Sequence, residues 1–532
     1  MKRAKRLLAL LLAAVMLLTL ATACSKTTSQ QSDPQQSNNT TAENPASNAS
    51  DNSDNPYSEH VKLTFMTYVA EGIDQNDPND RIKNYVQDKF NCEIEIQPFG
   101  GGEWDKVDMM LASGEYPDLF KMLNETTMVQ AYEDGVLYNF DDALDVDGDK
   151  YPALKEYLDR ARNAINLSAY DGDFYYVPTD TGVYQHGLWV RMDWLDELGL
   201  SIPETYDDLY NVLKTIKEEN PGGNVQAGIS MPGNWWLGHI YTGFVGSSDY
   251  VVQDGKVYHR QTVDGIREAY EYLHKLYSEG LLDQELFVGL DDQTVAEKFG
   301  SGKIAFMLGN CYSDWLPRII PPIETNSPEA EVDIINLPAG PAGAHQLSGN
   351  PYFIMTAISK NCEHPDRAMA VLDFLLSDEG RSLVKNGIEG VHYTTDASGN
   401  IIRNEEEYRK DKFACDDYRY HWMLELVTTD SYYIAPDYPY ADTFNKNVQR
   451  LEEGVESGYI ITPTPQLNGY TSEVTQEYGD KINDIISQYE YKFITGELEL
   501  NDENWQAYMD ELNSHHYQDL VDDWTQAYNA NS

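Results

Sequence analysis

The amino-acid sequence predicts a mixed α/β protein built from two lobes. Strand-like runs and amphipathic helices alternate from Val61 onward, which is typical of sheets whose strands are joined by helices. The same alternation begins again near Gly187, and residues 57–532 are long enough for two or three lobes by size. Two α/β lobes, with the chain crossing between them more than once, fit this order best.

The first α/β unit is predicted to run strand, helix, strand, helix, strand. Val61, Leu63 and Phe65 alternate along the chain as in a strand, whereas the apolar residues of 79–90 recur at helical spacing. The predicted elements are a strand at 61–69, a helix at 79–90, a strand at 92–96, a helix from Trp104 to Leu111 and a strand that begins at Tyr116. This order predicts a parallel sheet, in which ligands lie beyond the carboxyl ends of the strands.

A similar series predicts the second lobe. Thr205 is expected to cap a helix whose apolar face begins at Leu209, and Pro221 is expected to end that helix. The remaining predicted elements are strands at 187–191, 303–308 and 352–358, helices at 266–276 and 366–376, a short helix ending near Leu198, and a helix-rich segment from Thr471 to Asn529.

The N-terminus has the composition of an export signal. Four Lys and Arg side chains within residues 2–6 precede the apolar run Leu7–Leu20, which is too short to span a membrane. Small residues at 21–23 then precede Cys24, a pattern that resembles a bacterial lipobox. It implies cleavage before Cys24 and a diacylglycerol on its sulfur. Ordinary secretion, with an incidental cysteine, is the alternative.

Residues 25–56 favour the lipid anchor over ordinary secretion. This stretch holds no aromatic and no large aliphatic residue, so it cannot bury enough apolar surface to fold. As a coil it would separate its ends by about 30 Å. A tether of this kind, directly after a lipid site, predicts a folded body held at the outer face of the cytoplasmic membrane. Because one acyl chain binds marginally, two or more are expected.

Charge and cysteine content exclude several classes of function. The net charge is −50, and removing the leader's four positive charges takes it to −54. Such a chain is repelled by nucleic acid, and it disfavours a strongly acidic ligand unless a local Arg or a metal intervenes. Cys92, Cys311, Cys362 and Cys415 lie far apart without a CxxC pair, so zinc-type spacing is absent. Buried free thiols and one or two disulfides both stay open.

Four segments together resemble the family 1 extracellular solute-binding lipoproteins of ABC sugar importers, in particular the LplA-like subgroup. The segments are Gly114–Leu119, Trp189–Leu195 with its continuation to Asp208, Phe299–Phe306, and Asn386–Tyr393. The C-terminal segment around Trp505 and Tyr508 is also similar to the closing helices of that family. The resemblance covers most of the chain after Tyr57.

The resemblance implies a type II periplasmic-binding-protein-like clamshell that closes about a hinge on a ligand in the interlobe cleft. It implies capture of an oligosaccharide and its delivery to ABC permease subunits, by a monomer with no catalysis and no required cofactor. The predicted divisions are a signal peptide at 1–23, the lipidated Cys24 and tether at 24–56, and a solute-binding domain at 57–532. Within that domain, 57–180 form lobe 1, 181–400 lie mostly in lobe 2, and 401–532 are shared and helix-rich.

Aromatic side chains are the first candidates for ligand contact, because sugar C–H faces pack on aromatic planes. Trp235 and Trp236 follow a loop rich in breakers, Met231–Asn234, and either cleft lining or core packing fits them. Trp104 follows three glycines at a helix start, where a ligand edge or the helix core could lie against it.

Other candidates come from loops that the fold would bring to the cleft. Arg191 could meet a ligand or form an interior ion pair, with the ion pair slightly favoured. The remaining candidates follow or precede predicted strands: Glu71, Tyr184, Asn310, Tyr312 and Tyr352.

A structural calcium is a separate hypothesis. Asp145, Asp147 and Asp149 take positions 1, 3 and 5 of a calcium-loop pattern, and Glu156 takes position 12. Lys150, however, stands at position 6, where the EF-hand requires Gly. A solvated acidic turn that caps a helix is the alternative.

Enzyme motifs are weak in this chain. Gly300–Lys303 resembles a phosphate loop only superficially, because Ile304 replaces the required Ser or Thr. Neither GxSxG nor HExxH occurs. Two rival functions stay open at this point: a secreted glycoside hydrolase with a carboxylate pair, and a surface adhesin or ligand-sensing protein.

Overall fold

The structure, a computed structural model, describes residues 57–68, 74–100, 103–180, 186–311, 316–344, 346–347, 352–396, 401–411, 441–461, 464 and 466–531. Residues Asn55–Ser532 form one unit. Several residues named above lie outside the described ones: Cys24, Glu71, Tyr184, Tyr312 and Cys415. No helix of the described residues is long and apolar enough to cross a membrane.

The strands of the described residues are, in chain order, β1 Val61–Tyr68, β2 Cys92–Phe99, β3 Leu119–Met122, β4 Val177–Asp180, β5 His186–Arg191, β6 Ala227–Ser230, β7 Tyr250–Gln253, β8 Lys256–His259, β9 Ile304–Asn310, β10 Val332–Ile335, β11 Gln346–Leu347, β12 Tyr352–Ile358, β13 Tyr393–Thr395, β14 Ile401–Arg403 and β15 Ile460–Ile461.

The α-helices are, in the same order, α1 Arg81–Phe90, α2 Asp105–Ser113, α3 Glu125–Glu133, α4 Phe140–Asp147, α5 Pro152–Ala161, α6 Met192–Leu198, α7 Tyr206–Glu219, α8 Leu237–Val245, α9 Gly265–Ser278, α10 Asp292–Gly300, α11 Leu316–Asn326, α12 Pro365–Leu376, α13 Asp378–Asn386, α14 Glu405–Lys410, α15 Ala441–Glu456, α16 Glu473–Thr495, α17 Asp502–Ser514 and α18 Tyr517–Ala530.

The first sheet has the strand order β2-β1-β3-β12-β4. Strands β1, β2 and β3 are parallel, as the sequence predicts, whereas β12 runs antiparallel to both β3 and β4. The amino end of β12 and the carboxyl ends of the other four strands therefore meet at one edge. We call this the carboxyl edge of the first sheet.

The second sheet has the order β10-β5-β9-β6, and it is not the parallel repeat that the sequence suggests. Strands β6 and β9 are parallel, but β5 runs antiparallel to both β9 and β10. The reason is that β5 enters this sheet from the first one and must start at the edge where the chain arrives. His186, at the amino end of β5, consequently pairs with Asn310, at the carboxyl end of β9.

Each sheet has its own hydrophobic core. The first core contains residues of β1–β4 and also residues between Met355 and Ile388, although the sequence assigns 181–400 mostly to the second lobe. The second core covers one face of β5, β6 and β9 with α7, α8 and α9, and the C-terminal helices α16–α18 pack onto it. A smaller core covers the opposite face of that sheet with α10 and α11.

The chain passes between the sheets from Asp180 to His186 and again from Leu347 to Tyr352. Six residues span at most about 20 Å, so the two sheets approach each other where β4 ends and β5 begins. A third link is the segment 464–470. Its Asn468 carbonyl accepts a hydrogen bond from the Asn166 amide at 2.7 Å on the first-core side. Its Thr464 hydroxyl lies 3.2 Å from that of Ser248, which leads into β7.

Local signals placed most helix ends within a few residues. Thr205 forms a full capping box with Asp208, as the sequence predicts for the start of α7. The helix ends at Glu219, two residues before the predicted Pro221, and the capping residue Asn220 has φ of +51°. The described cysteines, Cys92, Cys311 and Cys362, are buried free thiols.

Candidate ligand-binding site

The candidate site begins with the short loop that follows β6. Gly233 has φ of +93°, and a three-residue 3-10 turn, Asn234–Trp236, continues directly into α8. The positive φ favours glycine at this position. This turn directs the two indoles differently, because Trp236 is fully buried and Trp235 is 60% exposed.

Trp235 is the exposed end of an aromatic stack. Its ring lies 4.4 Å from that of Trp236, and Trp236 in turn stacks on His239 at 5.2 Å with 29° between the planes. His186 meets all three rings edge-on, at 6.1, 4.5 and 4.8 Å respectively. We call His186, Trp235, Trp236 and His239 the aromatic cluster.

The aromatic cluster lies at the carboxyl edge of the second sheet. Strands β6 and β9 both end at this edge, and His186 begins β5 there. Gln346, on β11 just before the second crossing, donates a hydrogen bond from Nε2 to the His186 carbonyl at 2.7 Å. His239 also bonds the backbone of Leu347, the next residue of β11. The cluster is therefore tied to both segments that lead toward the first sheet.

The buried members of the cluster keep unused hydrogen-bonding capacity. Trp236 Nε1 and the Nδ1 atoms of His186 and His239 are buried and form no hydrogen bond with the described part of the chain. Burial lowers the pKa of His186 to about 3 and lowers the pKa of His239 well below its usual value. Both rings are therefore neutral at physiological pH, and in each the unpartnered Nδ1 is free to form one hydrogen bond.

A buried carboxylate lies behind the loop. Glu490, on α16, is 4% exposed and accepts a hydrogen bond from Asn234 Nδ2 at 3.2 Å through its Oε1. Its Oε2 accepts a hydrogen bond from Gln261 Nε2, and the side chain of Tyr241 lies nearby. Burial raises the pKa of Glu490 to about 7, although these bonds and nearby Arg260 act in the opposite direction. We call these five residues the Glu490 network.

The other predicted ligand residues are distributed between both sheets. Asn310 lies beside the cluster, and its carbonyl accepts the Trp189 indole N–H at 2.9 Å. Trp104 is half-buried where β2 leads into α2, edge-on to Phe99 at 5.1 Å, so it lies at the carboxyl edge of the first sheet. Tyr352 begins β12 at that same edge.

Arg191 occupies an interior ion pair, the alternative that the sequence slightly favours. It is 3% exposed at the far end of β5 from His186. Its guanidinium bonds both carboxylate oxygens of Asp193, at 2.9 and 2.6 Å, and lies 4.3 Å from the Trp194 ring. This position separates Arg191 from the carboxyl edge where the aromatic cluster lies.

The acidic segment after β3 does not form a calcium loop in this structure. Asp145 and Asp147 belong to α4, Gly148 has φ of −55°, and Asp147 pairs with Lys150 at 2.9 Å. Within the described ranges, no group of three or more His, Cys, Asp or Glu side chains is arranged to hold a metal. Asp149 and Glu156 are therefore not gathered with the other two, because the segment continues as helix where an EF-hand requires a glycine-turned loop.

Sequence reasoning missed the residues that support the loop. Glu490 contacts it only through the tertiary fold, whereas His239 lies one helical turn after Trp236 in α8. Glu490 did leave a signal: it falls on the apolar stripe of α16 together with Ile482, Ile486 and Phe493. A carboxylate at helical spacing within such a stripe indicates a buried polar contact, because a solvated Glu would lie on the opposite face.

Aromatic side chains at the carboxyl edges of two α/β sheets are typical of a binding protein with a cleft between two lobes. The chain belongs to the bacterial extracellular solute-binding protein family, whose model matches residues 75–382. Proteins of this family bind solutes, are not enzymes and need no cofactor, which removes the glycoside hydrolase as an interpretation.

Similar proteins agree with this assignment. The polygalacturonan/rhamnogalacturonan-binding protein YtcQ of Bacillus subtilis (strain 168) is 24% identical over 460 residues, which cover 82% of this chain and 86% of YtcQ. Lipoprotein LipO of the same organism is 23% identical over 417 residues, or 74% of this chain and 78% of LipO. The crystal structure of alginate-binding protein AlgQ2 without calcium ion has a TM-score of 0.69 at 19% identity, over 89% of this chain and 98% of AlgQ2.

Proposed function

We propose that this protein captures an oligosaccharide between the carboxyl edges of its two sheets and delivers it to the permease of an ABC importer. The observation that carries the proposal is Trp235, an indole that is 60% exposed at the carboxyl edge of the second sheet and backed by a buried aromatic stack. Such a plane fits the apolar face of a sugar ring.

Polar groups beside that plane suit the hydroxyls of a sugar. Trp236 Nε1 and two neutral imidazoles lie beneath Trp235 with unused hydrogen-bonding capacity. Trp104, at the edge of the first sheet, is proposed to contact the ligand from the other side.

The relatives suggest which sugars to test first. YtcQ and AlgQ2 are named for polygalacturonan and alginate, whose monomers carry carboxylates. The net charge of −50 opposes an acidic ligand unless a local cation compensates, so neutral oligosaccharides belong in the same comparison.

The direct test is a thermal-shift measurement on residues 57–532 with trigalacturonate, an alginate trisaccharide and the neutral nystose. A ligand at 100 times its dissociation constant should stabilise the protein by about 2.7 kcal/mol, and the sugar should be recovered intact. No shift with any of the three would overturn the oligosaccharide proposal.

Trp235→Ala tests whether the exposed indole forms the site. For the sugar that raises the melting temperature, loss of one stacked aromatic contact should increase the dissociation constant by roughly tenfold or more. Tyr491→Ala is the matched control, because this exposed tyrosine contacts Phe287 and Glu497 instead of the loop. Equal affinities in the two variants would exclude Trp235 from the site.

We also propose that residues 1–23 leave as a signal peptide and that Cys24 carries the lipid that anchors a monomer outside the cell. The support is the sequence pattern around Cys24 and the name of LipO. Mass spectrometry of the N-terminal peptide from membrane-extracted protein should show a diacylglycerol on Cys24. Release of the unmodified wild type into the medium would favour ordinary secretion, and Cys24→Ala provides the reference for a chain without the lipid.

A further inference from the structure

The residue that precedes the exposed indole contacts a helix far away in the sequence. Asn234 immediately precedes Trp235, and its side chain donates to Glu490 across 256 positions of the chain. The 3-10 turn that holds both residues is only three residues long, and Gly233 before it has a backbone conformation available mainly to glycine. The hydrogen bond from Asn234 to Glu490 therefore holds the turn in addition to the few bonds within the turn itself.

The surroundings of Glu490 hold the base of the same loop. Gln261, in the β8–α9 connection, donates a hydrogen bond to the carboxylate, and Tyr241 of α8 lies nearby. Arg260 packs so closely on Gly238, in the first turn of α8, that a Cβ added there would lie 2.5 Å from its Nη2. Arg260 is itself held by Asp249 at 3.0 Å. The turn and the start of α8 are thus fixed from one side.

We propose that Glu490 is a positioning residue that sets the orientation of Trp235 through Asn234. The helix α16 would thereby determine the geometry of a ligand platform that it does not itself form. The importance of this platform for sugar capture rests on the function proposed above. The structural claim does not, because the order of the loop can be measured without a ligand.

The experiment is hydrogen–deuterium exchange at residues 233–240 in residues 57–532, at pH 7 and without ligand. Glu490→Leu keeps an apolar volume of similar size but removes the acceptors, whereas Glu490→Gln keeps one acceptor and one donor that a flipped Gln261 amide can meet. Tyr489→Phe is the control on the adjacent position, since it removes a hydroxyl that bonds Glu511 at 2.9 Å.

Loss of a hydrogen bond to a carboxylate should raise local opening by roughly tenfold. We expect this increase at residues 233–240 in Glu490→Leu, little change in Glu490→Gln, and none in Tyr489→Phe. Asn234→Ala should give the same increase from the other end of the contact, and the double variant should show no further one. Asn234→Ala also serves if Glu490→Leu does not fold.

Two results would overturn the proposal. If Glu490→Leu exchanges like the wild type, packing volume alone positions the turn and the carboxylate is not needed. If exchange rises equally throughout the second core, Glu490 supports the fold in general and not this loop. These exchange results can be interpreted even if no sugar binds in the thermal-shift test, because exchange is measured without ligand.

Discussion

Replacing the buried Glu490 by Gln should change how stability depends on pH. Burial raises the pKa of Glu490 from 4.5 to about 7, and the side chain is only 4% exposed. The folded protein therefore holds this proton at pH values where the unfolded chain has released it. This proton therefore contributes to the free energy of unfolding. The contribution is fully present below pH 4.5, declines as pH rises toward 7, and no longer changes above pH 7. The difference amounts to about 3 kcal/mol.

Urea unfolding of wild-type protein and Glu490→Gln at several pH values between 4.5 and 8 measures this effect. Burial raises the pKa of the nearby Tyr241, Tyr270 and Tyr508 well above this range, so their hydroxyls stay protonated. Titrating groups elsewhere are common to both proteins and largely cancel in the difference. The stability of Glu490→Gln relative to wild type should rise by about 3 kcal/mol from pH 4.5 to 8. A difference that does not vary with pH would refute the assignment of a buried, protonated Glu490.

Two further predictions test other parts of the fold. Gly340→Ala should destabilise the protein by about 3 kcal/mol in urea titrations, because the new Cβ would lie 2.0 Å from the Gly243 carbonyl oxygen. Gly343 has φ of +82° but nothing within 4 Å of an added Cβ, so Gly343→Ala should lower the free energy of unfolding by only about 1 kcal/mol. Equal losses in the two variants would contradict the argument from close approach. EDTA should leave the melting temperature unchanged, since the four acidic side chains are not gathered. A fall of several degrees that Asp147→Asn abolishes would show that the segment rearranges around calcium.

Much of the architecture follows from local patterns. The alternation at Val61–Phe65 and the helical spacing in 79–90 gave β1 and α1 within two residues, and Thr205 marked the start of α7. These signals are readable because a strand or a helix repeats its contacts within two to four residues. The resemblance of four segments to a solute-binding family added the clamshell.

The candidate site was only partly predictable. The breaker-rich loop drew attention to Trp235 and Trp236, yet nothing local indicated that one would be exposed and the other fully buried. That division depends on His186 and His239, which lie on β5 and α8. Arg191 illustrates the same limit. The sequence allowed either a ligand contact or an interior ion pair, and only the fold decides which groups lie beside its guanidinium.

The sequence by itself determined the export signal pattern, the composition of the tether, the strong negative charge and the periodicity of most elements. Only the tertiary structure decided that β12 inserts antiparallel between β3 and β4, and that β5 reverses the expected parallel pattern. It also decided that Asn234 meets Glu490. The physical reason is that these pairings join residues more than a hundred positions apart. Their partners are selected by chain crossings and burial, which no window of neighbouring residues encodes.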